Sequence, residues 1–230
     1  MLKKLKLEVY EANISLVQNG LVLLTWGNAS ALDEKTGFVV IKPSGVDYKT
    51  MKPDDMVVVD LEGRIVEGKL KPSSDTPTHL EIYREFKGVK ALVHTHSKWA
   101  TAFSQSRTDI PCLGTTHADN FYGDIPCTRL MTSSEIKQDY ERNTGMVIVE
   151  TFRERGLDPL QVGAVIVANH GPFSWGNTCK KAVENSIVME YAAEMAFIAT
   201  MRNPETSIQQ DLIDKHFLRK HGDNAYYGQK

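Results

Sequence analysis

Met56-Val-Val-Val-Asp60 and Arg64-Ile-Val-Glu67, joined across Leu61-Glu-Gly63, decide the fold class. Two short β-branched runs around a Glu62-Gly63 turn predict a β-hairpin. A hairpin is antiparallel, so a sheet that contains it is not purely parallel. Upstream, Phe38 to Lys42 reads as a strand stopped by Pro43-Ser-Gly45, and Leu21 to Thr25 as another, followed by a loop over Trp26-Gly-Asn-Ala-Ser30. Leu2 to Gln18 carries apolar residues at helical spacing and ends in Asn19-Gly20.

Downstream, Thr76 and Pro77 open a helix that runs to about Phe86. Val89 to His94 is an apolar strand, Ser97 to Ser106 a helix, and Ala164 to Ala168 a strand. Thr132 with Glu135 forms a capping box for a helix to about Arg142, while Gly145 to Arg155 reads equally as strand or helix. Thr178 caps a helix to Met201 so apolar that burial on several faces is expected. Asn203-Pro204 breaks it, Ser207 to Lys220 forms a last helix, and Gly222 to Lys230 shows no periodicity. Helices alternating with strands, one hairpin included, predict an α/β fold with a mixed sheet covered on both faces. No repeat or linker divides the chain, so one domain over residues 1–230 is expected.

Composition narrows the function. With 41% hydrophobic residues, the 230-residue chain has ample material for a core and is not of the disordered type. Its 27 Lys+Arg against 29 Asp+Glu leave a net charge of -2, so no basic excess exists to release counterions from nucleic acid. The longest apolar runs, Leu21 to Leu24 and Ala164 to Ala168, fall far short of the ~20 residues of a membrane helix. Met1-Leu-Lys-Lys-Leu-Lys-Leu7 is not followed by an apolar signal region. Cys112, Cys127 and Cys179 are odd in number and widely spaced, as expected of reduced thiols in a cytoplasmic protein.

The chemistry concentrates in a few places. His94 and His96 end an apolar strand and, two residues apart, share one face. They are either half of a metal site or hydrogen-bonded rim histidines. His170, in Asn169-His-Gly-Pro172, also follows a strand and would complete three protein ligands. His79 is read as structural, and His117, His216 and His221 lack a metal spacing. Gly27-Asn28, Ser44-Gly45 and Ser73-Ser74 are short polar loops beside regular elements, each alone an ordinary turn. Together, with Lys42 as a possible charge, they suit a phosphorylated ligand approached by backbone N–H groups. Asp75 is either an acid at a helix start or a carboxylate facing the metal. Asp119 reads as an ordinary turn or cap residue.

Seven blocks carry a resemblance: Trp26-Gly-Asn-Ala-Ser30, Lys42-Pro-Ser-Gly45, Pro72-Ser-Ser-Asp-Thr-Pro-Thr-His79, Val93-His-Thr-His96, Gly114-Thr-Thr-His-Ala-Asp119, His170-Gly-Pro-Phe-Ser-Trp-Gly176, and Lys220-His-Gly222 with Ala225-Tyr-Tyr-Gly-Gln229. Together they resemble the L-ribulose-5-phosphate 4-epimerases of the class II aldolase family over essentially the whole chain. That resemblance implies a three-layer α/β/α sandwich around a mixed, largely antiparallel sheet. It implies a homotetramer with sites between subunits, a small phosphosugar substrate and one divalent ion per subunit, normally Zn2+. By the same resemblance Asp75, His94, His96 and His170 match metal ligands, and Gly27, Asn28, Ser44, Gly45, Ser73 and Ser74 match phosphosugar-binding positions. Asp119 and Tyr227 match an acid/base pair, and Thr115, Glu141, His216 and Arg219 match positions near the site.

Three rival readings share the fold. A fuculose-1-phosphate aldolase would release the aldehyde, and in that branch a glutamate stands where Asp75 does. A sugar-phosphate dehydratase is a second. A non-catalytic scaffold like the head of adducin is the third, and it need not keep the histidine set.

Overall fold

The computed structural model describes residues 2–227; the part of the seventh block that covers Gly228 and Gln229 lies outside them. In chain order the elements are α1 (Lys3–Gln18), β1 (Asn28–Asp33), β2 (Phe38–Ile41), β3 (Val57–Val59), β4 (Ile65–Glu67), α2 (Thr76–Glu85), β5 (Ala91–His94), α3 (Lys98–Ser106), α4 (Thr115–Ala118), α5 (Ser133–Lys137), α6 (Tyr140–Arg155), β6 (Ala164–Val167), β7 (Gly171–Gly176), α7 (Cys179–Arg202) and α8 (Gln210–His221). The strands form one sheet in the order β4-β3-β2-β1-β5-β7-β6.

The hairpin over residues 56–67 is there as β3 and β4, and every pairing between named strands is antiparallel. The parallel component shrinks to an isolated bridge between Cys127 and Ile166.

Alternation along the strands builds two cores, one on each face. Val39, Ile41, Val57, Val59 and Leu92 point to the face covered by Leu80, Ile82 and Tyr83 of α2 and Ile148 and Phe152 of α6. Val40, Val58, Ala91 and Val93 point to the opposite face, under Val9, Ala12 and Leu16 of α1 and Ala182 and Val183 of α7. This is the three-layer arrangement. None of the helices among the described residues is long and apolar enough to cross a membrane.

Four expectations need correction. Leu21 to Thr25 is not a strand, because its backbone donors are used locally. Leu21 N–H closes the end of α1 on Leu16 O, and Trp26 N–H turns back to Leu23 O. Leu24 sits at φ +53°, and the strand begins three residues on from Thr25, at Asn28. A second unexpected strand is β7, which opens with Gly171-Pro172; its proline carbonyl accepts Thr95 N–H. The helix begun by the Thr132 box stops at Lys137, and α6 restarts at Tyr140 after Asp139 at φ +48°. Finally, α7 buries Ala182, Ser186, Met189 and Ala193 but leaves Phe197, Ile198 and Met201 exposed on the single chain.

Candidate metal centre and active site

β5 ends at His94, and the chain carries on extended through Thr95 to His96. The sheet register sets Phe173 of β7 and Asn28 of β1 on either side of His94. Pro172 O accepts both Thr95 N–H and His94 Nδ1–H, the latter at 3.0 Å. A carbonyl only accepts, so His94 carries its proton on Nδ1 and keeps Nε2 bare. The Phe173 ring stacks on His94 at 4.1 Å between centroids.

His170 follows a tight turn in which Asn169 takes φ +59°. Its N–H donates to Val167 O at 2.9 Å and to Ser104 Oγ at 3.0 Å. The next residue must be glycine: a Cβ on Gly171 would lie 2.9 Å from Thr95 O. Thus ligand-type nitrogens of His94, His96 and His170 all lie within 4.8 Å of one another.

Asp75 precedes α2 but makes no cap bond to it. Its Oδ2 instead accepts Asn28 Nδ2–H at 2.6 Å. Asp75 O still accepts His79 N–H at the start of α2, so both alternatives for this carboxylate stay open. Burial pushes the Asp75 carboxyl up, but His94, His79, the Asn28 amide and His170 outweigh it and hold it below the usual carboxylate range. Burial lowers His94 against the pull of Asp75, lowers His96 together with the neighbouring His94, and takes His170 down to about 3. At neutral pH the three grouped imidazoles are neutral, and Asp75, which lines the same cavity but is not one of that group of three, is a carboxylate. Such a nitrogen-rich set with one hard oxygen suits a borderline divalent ion such as zinc.

The polar loops meet at the same place. A bridge between Pro43 and Pro72 zips the loop after β2 to the loop before α2, with Ser44 N–H on Lys71 O and Ser73 N–H on Lys42 O. Gly27, Asn28, Ser44, Gly45, Ser73 and Ser74 line one cavity of about 310 Å³ with Asp75 and the three histidines. Gly27 is irreplaceable on two counts: φ is +103°, and a Cβ would sit 2.8 Å from His94 O. Lys42 borders the cavity, but its ammonium is spent on Pro43 O at 3.3 Å and Val46 O at 3.1 Å, over the Tyr48 ring.

A second cluster forms elsewhere on the subunit. Asp119, at the end of α4, receives His216 Nδ1–H at 3.0 Å, Arg219 Nη2–H at 2.9 Å and Lys220 Nζ at 3.3 Å. Burial raises the Asp119 carboxyl, but these donors outweigh it and hold it below the usual range. Tyr227 lies beneath Arg219 and Lys220, 4.8 and 4.6 Å from its ring centroid, with its N–H on Arg219 O. Thr115 joins this cluster through its carbonyl, which accepts Asp119 N–H. Glu141 does not; it is the second residue of α6, where its carbonyl accepts Thr78 Oγ1–H. None of Asp119, Tyr227, His216 or Arg219 borders the histidine cavity of the same chain.

His79 is fully buried, with Nδ1 2.7 Å from Ser30 Oγ and Nε2 buried without a hydrogen-bond partner among the described residues. One residue escaped the sequence reading: Tyr140 places Oη 3.3 Å from His170 Nδ1. The two are thirty residues apart, and no local spacing links them.

Comparison with known proteins gives the family and the fold. The family model described as the class II aldolase and adducin N-terminal domain matches residues 7–197. A solved L-fuculose 1-phosphate aldolase superposes with a TM-score of 0.78 at 25% identity, covering 93% of this chain and 94% of that one. YgbL from Klebsiella pneumoniae, provisionally described as an aldolase/epimerase/decarboxylase, gives 0.73 at 26% identity over 94% and 99%. An L-fuculose 1-phosphate aldolase from Glaciozyma antarctica PI12 shares the fold, with a TM-score of 0.77 at 21% identity over 97% and 84%. With its histidine triad seated where the sheet and loops converge, the chain belongs to the class II aldolase and adducin family.

Proposed function

We propose that this chain is a zinc-dependent L-ribulose-5-phosphate 4-epimerase. The observation that carries the reading is the pairing of a lone-pair-rich cavity with a separate carboxylate and phenol, Asp119 and Tyr227, backed by Arg219 and His216. In a 2-ketopentose 5-phosphate the C4 proton is not adjacent to the carbonyl, so direct deprotonation there is poor chemistry. Cleaving C3–C4 is better, because the electron pair delocalises onto C2. One residue takes the C4 hydroxyl proton as the bond breaks. The glycolaldehyde phosphate so formed turns its other face, the bond re-forms, and the second residue protonates the new C4 alkoxide. Two proton carriers on opposite faces are what this requires, and Asp119 and Tyr227 suit it.

His94, His96, His170 and Asp75 would hold the ion, which supplies Lewis-acid stabilisation of the negative charge that develops on the sugar oxygens. The phosphate anchors the fragment during rotation. Gly45 and Ser74 keep backbone N–H groups uncommitted at the cavity, whereas those of Ser44 and Ser73 are already bonded. Since the two clusters do not share a cavity within one chain, a neighbouring subunit would bring Asp119 and Tyr227 to the metal. The exposed Phe197, Ile198 and Met201 on α7 support an oligomer, with a tetramer as the family-based expectation.

The likeness to L-fuculose 1-phosphate aldolase favours a second reading, a class II aldolase that releases its aldehyde. Incubation with L-ribulose 5-phosphate tests both. Accumulation of D-xylulose 5-phosphate supports the epimerase, free glycolaldehyde phosphate supports the aldolase, and an inert, metal-free protein supports a scaffold.

A further inference from the structure

We propose that Tyr140 is a positioning residue for His170: its phenol oxygen accepts the Nδ1 proton of that imidazole and so keeps Nε2 bare toward His94 and His96. The inference rests on reading the three histidines as a metal site. A neutral imidazole carries one proton, and only the nitrogen without it ligates. For His94 the choice is made by the backbone, because Pro172 O faces Nδ1 at 3.0 Å. His170 has no carbonyl in that place. Its N–H bonds to Val167 O and Ser104 Oγ fix the backbone but do not touch the ring.

Tyr140 fills the gap. Its Oη lies 3.3 Å from His170 Nδ1, and the two rings are 6.0 Å apart at 31°. The approach depends on Asp139, whose φ of +48° ends the preceding segment and starts α6 with Tyr140 as its first residue. A non-glycine residue enters that region at a cost, so the turn is specified rather than incidental. A hydroxyl can accept here as a carbonyl does, turning its own hydrogen away from the ring so that an oxygen lone pair faces Nδ1–H. Partners of this kind fix ring orientation and raise ligand basicity.

The test compares the full-length wild type with Tyr140→Phe, which removes the oxygen and keeps the ring. Zinc affinity is measured by competition with a chromophoric chelator, and thermal stability is measured on the metal-free forms. Tyr140→Phe should bind zinc about 10–100-fold more weakly, the usual loss for such a partner, with unchanged metal-free melting temperature. Tyr140→Leu should lose at least as much affinity, so a poorly folded phenylalanine variant would not leave the matter open. Wild-type zinc affinity in Tyr140→Phe overturns the proposal. A wild type that binds no zinc overturns it together with the metal-site reading, so the two failures are told apart.

Discussion

The Nε2 atoms of His94 and His96 face each other 3.2 Å apart. Two neutral imidazoles at that spacing either share one hydrogen or set two lone pairs against each other, and a second proton would set like charges together in a buried place. An ion relieves this by accepting both lone pairs. Each subunit should therefore hold about one divalent ion, measurable by elemental analysis, and chelation should abolish turnover until zinc is returned. His94→Asn should purify without metal yet keep its fold, because among the described residues Phe173 is the one core ring stacked on His94 and the remainder of both cores is packed away from it. Full activity in metal-free protein would refute the metal requirement.

Asp75→Asn tests whether the carboxylate is a fourth ligand. The substitution keeps the shape but removes the charge that Asn28 Nδ2 approaches at 2.6 Å. Zinc affinity and epimerisation should both fall, and the product mixture should shift toward free aldehyde. A helix-start role predicts instead a small loss of stability with metal content and rate intact.

Two glycines at the cavity should respond differently to alanine. Gly27→Ala meets His94 O and Val22 Cγ1, both at 2.8 Å, on top of an unfavourable φ. It should cost about 1–3 kcal/mol and lower zinc affinity, because the carbonyl it displaces belongs to a ligand residue. Gly45→Ala has φ +67° but open space for the methyl. It should cost only the conformational penalty of about 1–2 kcal/mol and leave zinc affinity unchanged. Urea titrations paired with chelator competition separate the two.

The sequence made the hairpin, the α2 start at Thr76-Pro77 and the His94/His96 pair legible, because each depends on neighbours within a few residues. β1 was misplaced because Asn28-Ala-Ser-Ala31 lacks β-branched residues; its strand state comes from ladders to β2 and β5 on both sides. The use of Asp75 was ambiguous for a similar reason. A helix-start position is written locally, whereas the bond to Asn28 spans 47 residues. The Asp119 cluster joins partners about a hundred residues apart, and only the family resemblance singled out Tyr227. Tyr140 had no signal of either kind.

Acid should weaken the fold through its buried histidines. Burial takes His79 down to about 3 against the attraction of Asp75, and takes His117 down to about 4 against a hydrogen bond to Gly123 O. In the unfolded chain both titrate near 6.5. Between those values the unfolded state binds protons that the native state refuses, so stability falls as pH drops. Each buried imidazole contributes about 1.4 kcal/mol per pH unit over that window. Denaturation midpoints should be flat above about pH 7 and decline from there toward pH 4, and His117→Gln should reduce the slope. A slope unchanged by that substitution would contradict the assignment.

The acid/base pair is separable by product stereochemistry. The donors around Asp119 keep it ionised, and a C4 hydroxyl proton would move to it only at the cost of those bonds. Tyr227, beneath Arg219 and Lys220, is the second group of the pair. Tyr227→Phe retains the ring that those cations cover and loses only the hydroxyl. Net epimerisation should fall by about 10²–10⁴-fold, the usual worth of one positioned acid/base group, with zinc binding and assembly intact. Asp119→Asn should also block net epimerisation. Yet each variant should still condense dihydroxyacetone with glycolaldehyde phosphate on the face whose acid/base group remains, so the two should yield opposite C4 epimers, resolved by chromatography of the dephosphorylated products. Identical epimer mixtures, or a wild-type rate in Tyr227→Phe, would overturn the two-face assignment. His216, which already donates to Asp119 at 3.0 Å, would then be the first group to test in its place.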